Sequence, residues 1–242
     1  MNRKRTTRIL FWAVTAPTAL LSAILLFAYL RQDAIVQSQI SALNADYIGR
    51  ITVGDVHLAP FTNFPDISLK VDNVAVHESK NSDDAPILNV ADIYVGFNIL
   101  DLLVGDYDIH SLIVEDGFVD LVIHSDGTTN LKNALATSAE NEGGKPLDVH
   151  LHKIELKNLD IHQREEATNL DIETFIYWAK GGFNTIQSQI AAHIDSEFEL
   201  NVIDNGDTTY FKHKHFEFHT DLVFDETTGM LSFKPSGIRM EH

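Results

Sequence analysis

A stretch of 22 residues without charge near the N-terminus, Ile9 to Leu30, constrains this chain more than any other feature. At about 1.5 Å rise per residue, a helix of that length covers the roughly 30 Å hydrocarbon core of a bilayer. Four basic residues lie between positions 3 and 8, whereas only Arg31 follows closely, so the positive-inside rule places the N-terminus in the cytoplasm. We therefore predict that everything after residue 31 lies outside the cytoplasm.

This segment has two interpretations, an uncleaved anchor or a cleaved signal peptide. The apolar run is longer than the roughly 7–15 residues of a signal peptide, and no convincing small-x-small cleavage site follows it. These features favour a cytoplasmic basic tail over residues 1–8 and a transmembrane helix over residues 9–30. The residues expected to hold the anchor in the bilayer are Ile9, Phe11, Trp12, Leu20, Leu26, Tyr29 and Leu30.

The charge of the remaining chain limits its partners. The protein has 35 acidic and 18 basic residues, a net charge of −17, and the part after Arg31 keeps all 35 acidic but only 13 basic residues. Such a surface has little capacity to neutralise phosphates, which argues against a nucleic-acid partner. Because the chain has no cysteine, it has neither a disulfide framework nor a thiolate metal site.

The sequence after residue 31 predicts one short helix and then many short strands. Apolar residues alternate with polar ones between turn residues, a pattern typical of antiparallel β architecture. The predicted fold is mainly β, an extended, twisted antiparallel sheet with one apolar, groove-like face and few short helices. Its divisions are a connecting helix over 31–48, a first β region over 49–136, a flexible loop over 137–146 and a second β region over 147–242.

Several local patterns give specific predictions. The alternation shifts phase at Asp72-Asn73, which indicates a bulge or tight turn. Asp116-Gly117 predicts a hairpin between two strands, Ile109 to Val114 and Phe118 to His124. A strand is expected over Leu147 to Ile161. Met230 to Phe233 with Ile238 predicts a last strand at an open edge of the sheet.

A weak internal repeat overlies the strands. Three units, residues 69–74, 112–117 and 154–159, share an apolar-x-apolar strand end followed by a polar turn, about 42 residues apart. Such a period is typical of a stacked or extended sheet. A coincidence of hairpins is the alternative, because the units match at few positions.

The order of short motifs after the anchor resembles the N-terminal part of AsmA-like proteins, a membrane-anchored periplasmic family that includes the TamB and YhdP types. Ile51-Thr52-Val53-Gly54-Asp55-Val56 is similar to the opening strand of that family. The other matching stretches are Phe64-Pro65-Asp66-Ile67-Ser68-Leu69, Asn98 to Gly105 and Asp126-Gly127-Thr128-Thr129-Asn130-Leu131. Relatives are commonly much longer, so the chain is expected to be a truncated form or a fragment.

The resemblance implies a protein of the bacterial inner membrane whose periplasmic sheet carries lipid in an apolar groove, in lipid transfer or outer-envelope biogenesis. Its implied partners are membrane lipid, phospholipid along the groove and an envelope protein. Two alternatives stay open: the apolar face is simply core, or the domain is a membrane-tethered scaffold that binds another protein. The candidate groove residues are Leu69, Val71, Leu112, Val114, Val119, Leu121, Ile123, Val149 and Leu151.

Motifs for catalysis and cofactors are missing from the sequence. There is no Gly-x-Ser-x-Gly elbow, no His-Glu-x-x-His and no phosphate loop, so we expect neither an enzyme nor a cofactor. His150 with His152 and His213 with His215 have a spacing that would place both rings on one face of a strand. Scattered surface histidines explain these pairs more simply, and no metal site is predicted.

Overall fold

The computed structural model describes most of the chain beyond residue 46. The described residues are 41, 44–45, 47–63, 66–81, 85–98, 101, 108–134, 136, 151–186, 189–204, 208–225, 228–234 and 236–240. The predicted anchor over 9–30, most of the connecting helix and the loop over 137–146 lie outside them.

Strands dominate the described residues, as the sequence predicts. They are β1 (Arg50–Thr52), β2 (Val56–Ala59), β3 (Ile67–His77), β4 (Pro86–Phe97), β5 (Ile109–Ile123), β6 (Lys153–Glu165), β7 (Leu170–Ile186), β8 (Gln189–Asp204), β9 (Thr208–Asp225), β10 (Met230–Phe233) and β11 (Gly237–Met240), with one short helix, α1 (Asn130–Ala134), between β5 and β6. Both predicted β regions contribute to the same sheet.

The strands follow one another across the sheet in the order β1-β3-β4-β5-β6-β7-β8-β9-β10, with β2 beside β3 and β11 beside β9. All neighbours are antiparallel except β5 and β6, which run parallel. The expectation of an entirely antiparallel sheet is therefore wrong at this one pair. A parallel pair needs a crossover, and residues 124–152 supply it.

The start of this crossover is held by the stretch that begins at Asp126. The Asp126 carboxylate accepts bonds from the Thr128 amide at 2.9 Å and its hydroxyl at 2.6 Å, which closes the turn. Asn130, at the start of α1, is buried; its side chain donates to the Asp120 carbonyl at 2.7 Å and accepts from the Val122 amide at 3.1 Å. These bonds fix α1 against β5.

Residues with a left-handed backbone interrupt the pairing without shifting its register. At Asp72-Asn73, Asn73 has a φ of 51° and is passed over between the pairs Asp72–Asp92 and Val74–Val90. The burial alternation changes phase there, as predicted, but the register is the same on both sides, so the predicted bulge or turn is wrong. The hairpin predicted at Asp116-Gly117 is also wrong. Asp116 has a φ of 58°, yet β5 continues through it, and its pairing with β4 keeps one register on both sides.

The repeat has a structural counterpart. Its second and third units lie side by side in the parallel pair, where Leu112 is the partner of Ile154, 42 positions later. The fifth position of the units is Asn73, Asp116 and Asn158, with φ values of 51°, 58° and 50°. The Asn158 amide also donates to the Asp116 carboxylate at 3.0 Å. The repeat therefore places one left-handed residue in each of β3, β5 and β6.

Two further boundaries differ from the sequence prediction. The strand expected from Leu147 begins only at Lys153 among the described residues, and Leu151 precedes it. At the C-terminal end, Met230 to Phe233 does form a strand, β10, but Ile238 belongs to a separate strand, β11; both pair with β9. Within the described residues, no strand pairs with the outer side of β10 or β11.

Candidate functional site: the apolar face of the sheet

One face of the sheet is apolar along rows that cross seven strands. Directly paired residues share a face, so the register of the strand pairs defines each row. One row directly follows the left-handed residues of β3, β5 and β6 and continues to the far end of the sheet. It contains Val74, Val90, Gly117, Leu159, Ile176, Phe198 and Phe216, from β3 to β9, with Met240 of β11 beside it. The rows on either side are also mainly apolar, which makes this face continuous.

The apolar face is buried at one end and half-exposed at the other. Around β3, β4 and β5 its residues form the hydrophobic core, in which Val90 is fully buried and Ile67 is 1% exposed. Ile51, Val53 and Leu58 from the first edge of the sheet pack against this core. Among the described residues of β7 to β11, only Ala192 and Phe216 are buried apolar residues. The face therefore changes from core into surface along the sheet.

The predicted groove residues divide between these two environments. Leu69, Val71 and Val114 are buried in the core, so they agree with the alternative that the apolar face is core. The other candidates that the structure describes are half-buried: Leu112, Val119, Leu121 and Ile123 on β5, and Leu151 before β6. Val149 lies outside the described residues.

Sequence reasoning missed the half-exposed part of the face. Its residues are apolar, neither buried nor fully exposed, and lie on β7, β8 and β9: Ile172, Ile176, Phe183, Ile194, Phe198, Leu200, Val202, Phe218, Leu222 and Phe224. The signal was present in β8, where Ile190, Ala192, Ile194, Ser196, Phe198, Leu200 and Val202 alternate with polar or small residues. We call these ten half-exposed residues the open apolar face.

Aromatic rings concentrate on and beside the open apolar face. The ring of Phe198, which belongs to this face, stacks on the buried Phe216 ring with centroids 5.4 Å apart, and the exposed Phe211 ring meets Phe216 edge-on at 6.1 Å. Isolated exposed apolar residues are ordinary, but a contiguous patch of this kind marks an interaction site or ligand groove in soluble domains. The open apolar face is consequently the best candidate for a binding surface.

The opposite face is polar and carries paired charges. The Lys70 ammonium lies 3.0 Å from Asp72 and 2.9 Å from Asp92. The hydrogen bonds that it donates to Asp92 and then to Asp72 raise the pKa of Lys70. Bonding from Lys70 in turn lowers the pKa of Asp72 below its ordinary value. Lys70 and Asp72 therefore stay ionised near neutral pH, which keeps this part of the polar face charged.

Glu155 is the most buried carboxylate of the polar face. Burial acts to raise its pKa, but the hydrogen bond from Lys153 and the charges of Lys157 and Lys180 outweigh it and lower the pKa of Glu155. The three ammonium groups lie 3.2 to 3.5 Å from its oxygens. The polar face therefore carries paired charges, whereas the opposite face is apolar.

The histidine pairs that the sequence singled out are not brought together around a common point. His213 binds Glu199 at 2.7 Å, and His215 binds Glu197 at 3.2 Å. The ring of His152 lies 5.1 Å from that of His110, and His150 is outside the described residues. A different group, in which His193 and His219 lie beside Asp195, was not found from the sequence.

No family model matches the chain, and no curated protein matches it. The likeness to AsmA-like proteins therefore stays a prediction from the motifs. Of the helical residues that the structure describes, none belongs to a helix with the length and apolar character needed to cross a bilayer. The segment from Ile9 to Leu30 lies outside those residues.

Proposed function

We propose that this protein binds the acyl chains of membrane lipid on the open apolar face, as a single-pass protein of the bacterial inner membrane whose sheet lies in the periplasm. In this proposal it takes part in lipid transfer between membranes or in outer-envelope biogenesis, as the resemblance to AsmA-like proteins implies. The observation that carries the proposal is the continuous apolar face that is half-exposed over β7, β8 and β9.

The energetics of the face suit a lipid chain. Each methylene group removed from water contributes about 0.8 kcal/mol, so even partial burial of an acyl chain is favourable. Strands lie about 4.8 Å apart, so the open apolar face over β7, β8 and β9 is about 10 Å across, measured perpendicular to the strands. The charged opposite face would not compete for the same ligand.

Photo-crosslinking in living cells tests this directly. A benzoylphenylalanine in place of Phe198 would sit on the open apolar face, paired with Ile176 and Phe216. The matched control replaces Phe175, a half-buried phenylalanine of β7 on the opposite face, paired with Asp160 and Glu199. Both substitutions are equal in size and lie on neighbouring strands.

We expect irradiation to give a phospholipid adduct at position 198, detected as a mass increase of the intact chain, and little at position 175. Equal adducts at both positions, or no lipid adduct at 198, would contradict lipid binding on this face. The experiment thereby separates a lipid-binding face from a merely solvent-exposed one.

A membrane-tethered scaffold is the second candidate function, because the last strands expose apolar side chains at an edge. Leu231, Phe233 and Ile238 are 50%, 65% and 67% exposed, and unpaired strand edges bind other strands. A photo-crosslinker at Phe233 should then capture a protein rather than lipid. Protein adducts at both 198 and 233, without lipid, would favour the scaffold over the lipid-binding proposal.

A further inference from the structure

Four side chains form a compact group on the polar face near the C-terminal end of the sheet. His193 and Asp195 lie on β8, and their direct partners on β9 are Asp221 and His219. Residues two apart on a strand share a face, so the register produces a square in which each histidine faces an aspartate. All four side chains are substantially solvent-accessible.

The donor atoms in this square are close together. Asp195 oxygens lie 2.8 Å from His193 Nε2 and 2.6 Å from His219 Nδ1, and the two rings meet edge-on with centroids 4.9 Å apart. One donor atom from each of these three residues lies within 4.8 Å of the other two. Tetrahedral coordination at about 2.0–2.2 Å requires donor separations of roughly 3.4 Å, which small side-chain rotations supply here.

The types of donor select the class of ion. Two imidazoles and one carboxylate suit zinc and similar transition metals, whereas calcium and magnesium prefer sites made of oxygen. His193 Nδ1 lies 2.6 Å from Asp221, so this carboxylate can accept the ring N–H while Nε2 remains directed at the group. Hydrogen bonding of this kind orients metal-ligating histidines.

We propose that His193, Asp195 and His219 bind a divalent transition-metal ion of the zinc type, with Asp221 as the residue that positions His193. Solvent access leaves room for water at the remaining coordination position. The site lies on the face opposite the open apolar face, so it is independent of the lipid-binding proposal.

The competing explanation is a network of ion pairs without metal. Bonding to Asp221 and the charge of Asp195 raise the pKa of His193, and bonding to His219 lowers that of Asp195, so the square is also stable when the imidazole is protonated. The two explanations differ in one respect. Only the metal site predicts saturable binding of one ion that depends on both histidines.

The test is a zinc titration of the full-length, untagged protein in detergent micelles, monitored by competition with a chromophoric chelator. Cobalt absorption serves as a second readout, because it reports coordination geometry. We expect the wild type to bind one equivalent of zinc tightly, and His193→Ala and His219→Ala to lose this binding. The zinc affinity of Asp221→Asn should be roughly 10- to 100-fold weaker.

His213→Ala is the matched control, since His213 is an exposed histidine of the same strand, β9, bound to Glu199 outside the square. His213→Ala should still bind one equivalent of zinc tightly. Circular dichroism establishes that each variant retains its sheet. The proposal is overturned if the wild type binds no zinc saturably, or if His219→Ala binds zinc as tightly as His213→Ala.

Discussion

The substitution Gly117→Ala tests how closely β4 and β5 pack next to the left-handed residue Asp116. A Cβ atom at position 117 would lie 2.3 Å from the Asn89 carbonyl oxygen and 2.6 Å from the Val90 Cα. Both are backbone atoms, so no rotamer change relieves the overlap and the paired strands must separate. Overpacking of this kind costs about 1–3 kcal/mol, and the contact with backbone puts Gly117→Ala toward the upper end.

Gly182→Ala is the control, because the same change on β7 places a Cβ with no heavy atom within 4 Å. It should leave the free energy of unfolding unchanged or raise it by about 0.4–1 kcal/mol, because alanine lowers the conformational entropy of the unfolded chain. Urea unfolding of the full-length protein, followed by circular dichroism, measures both. At an m-value of roughly 2 kcal/mol/M, a loss of about 2 kcal/mol lowers the midpoint by about 1 M. Equal midpoints for the two variants would refute the close approach of β4 and β5.

Three other predictions concern the crossover after β5, the square of His193, Asp195, His219 and Asp221, and the predicted membrane anchor. Asn130→Ala should lower the free energy of unfolding by about 1–3 kcal/mol, since it leaves the half-buried Asp120 carbonyl and Val122 amide of β5 without the Asn130 side chain as a partner. The same urea assay would show no change if those bonds are absent. Asp221→Asn should lower the pKa of His193 from its raised value toward 6.5, followed by NMR titration of the imidazole signals; an unchanged pKa would contradict the bond. In the wild type, the stabilisation from His193 is present below about pH 6.5 and is lost as the pH rises through the raised pKa. A reporter fused after His242 should be active only outside the cytoplasm, and cytoplasmic activity would contradict the predicted topology.

Much of the sheet could be predicted because period-two alternation follows from backbone geometry. In β3, the alternation of Ile67, Leu69 and Val71 and its shift at Asn73 are local properties of the sequence, and the structure reproduces both. The hairpin predicted at Asp116-Gly117 was wrong for a physical reason. A left-handed residue permits either a chain reversal or a strand that continues through it, and the outcome depends on pairing with β4 and β6, which is not local.

The candidate site was predicted only in its general character. The sequence indicates an apolar face, but whether Val71 or Phe198 is accessible depends on what packs against each, which alternation does not encode. Val71 became core through neighbours on β2 and β4, whereas Phe198 stayed half-exposed on β8. The group of His193, Asp195, His219 and Asp221 could not be predicted from the sequence either, because residues on β8 and β9 meet only through the register of that hairpin.

The repeat explains how apolar residues three positions apart can share one face of the sheet. Each unit places a left-handed residue in its strand, at Asn73, Asp116 and Asn158. In a regular strand, residues three apart face opposite sides, yet Val71 with Val74, and Leu156 with Leu159, pack in the same core. Because β5 and β6 are parallel and offset by 42 positions, Asp116 and Asn158 are neighbours, and the Asn158 amide donates to the Asp116 carboxylate at 3.0 Å. The left-handed residues therefore keep the apolar face continuous where the sequence alternation changes phase.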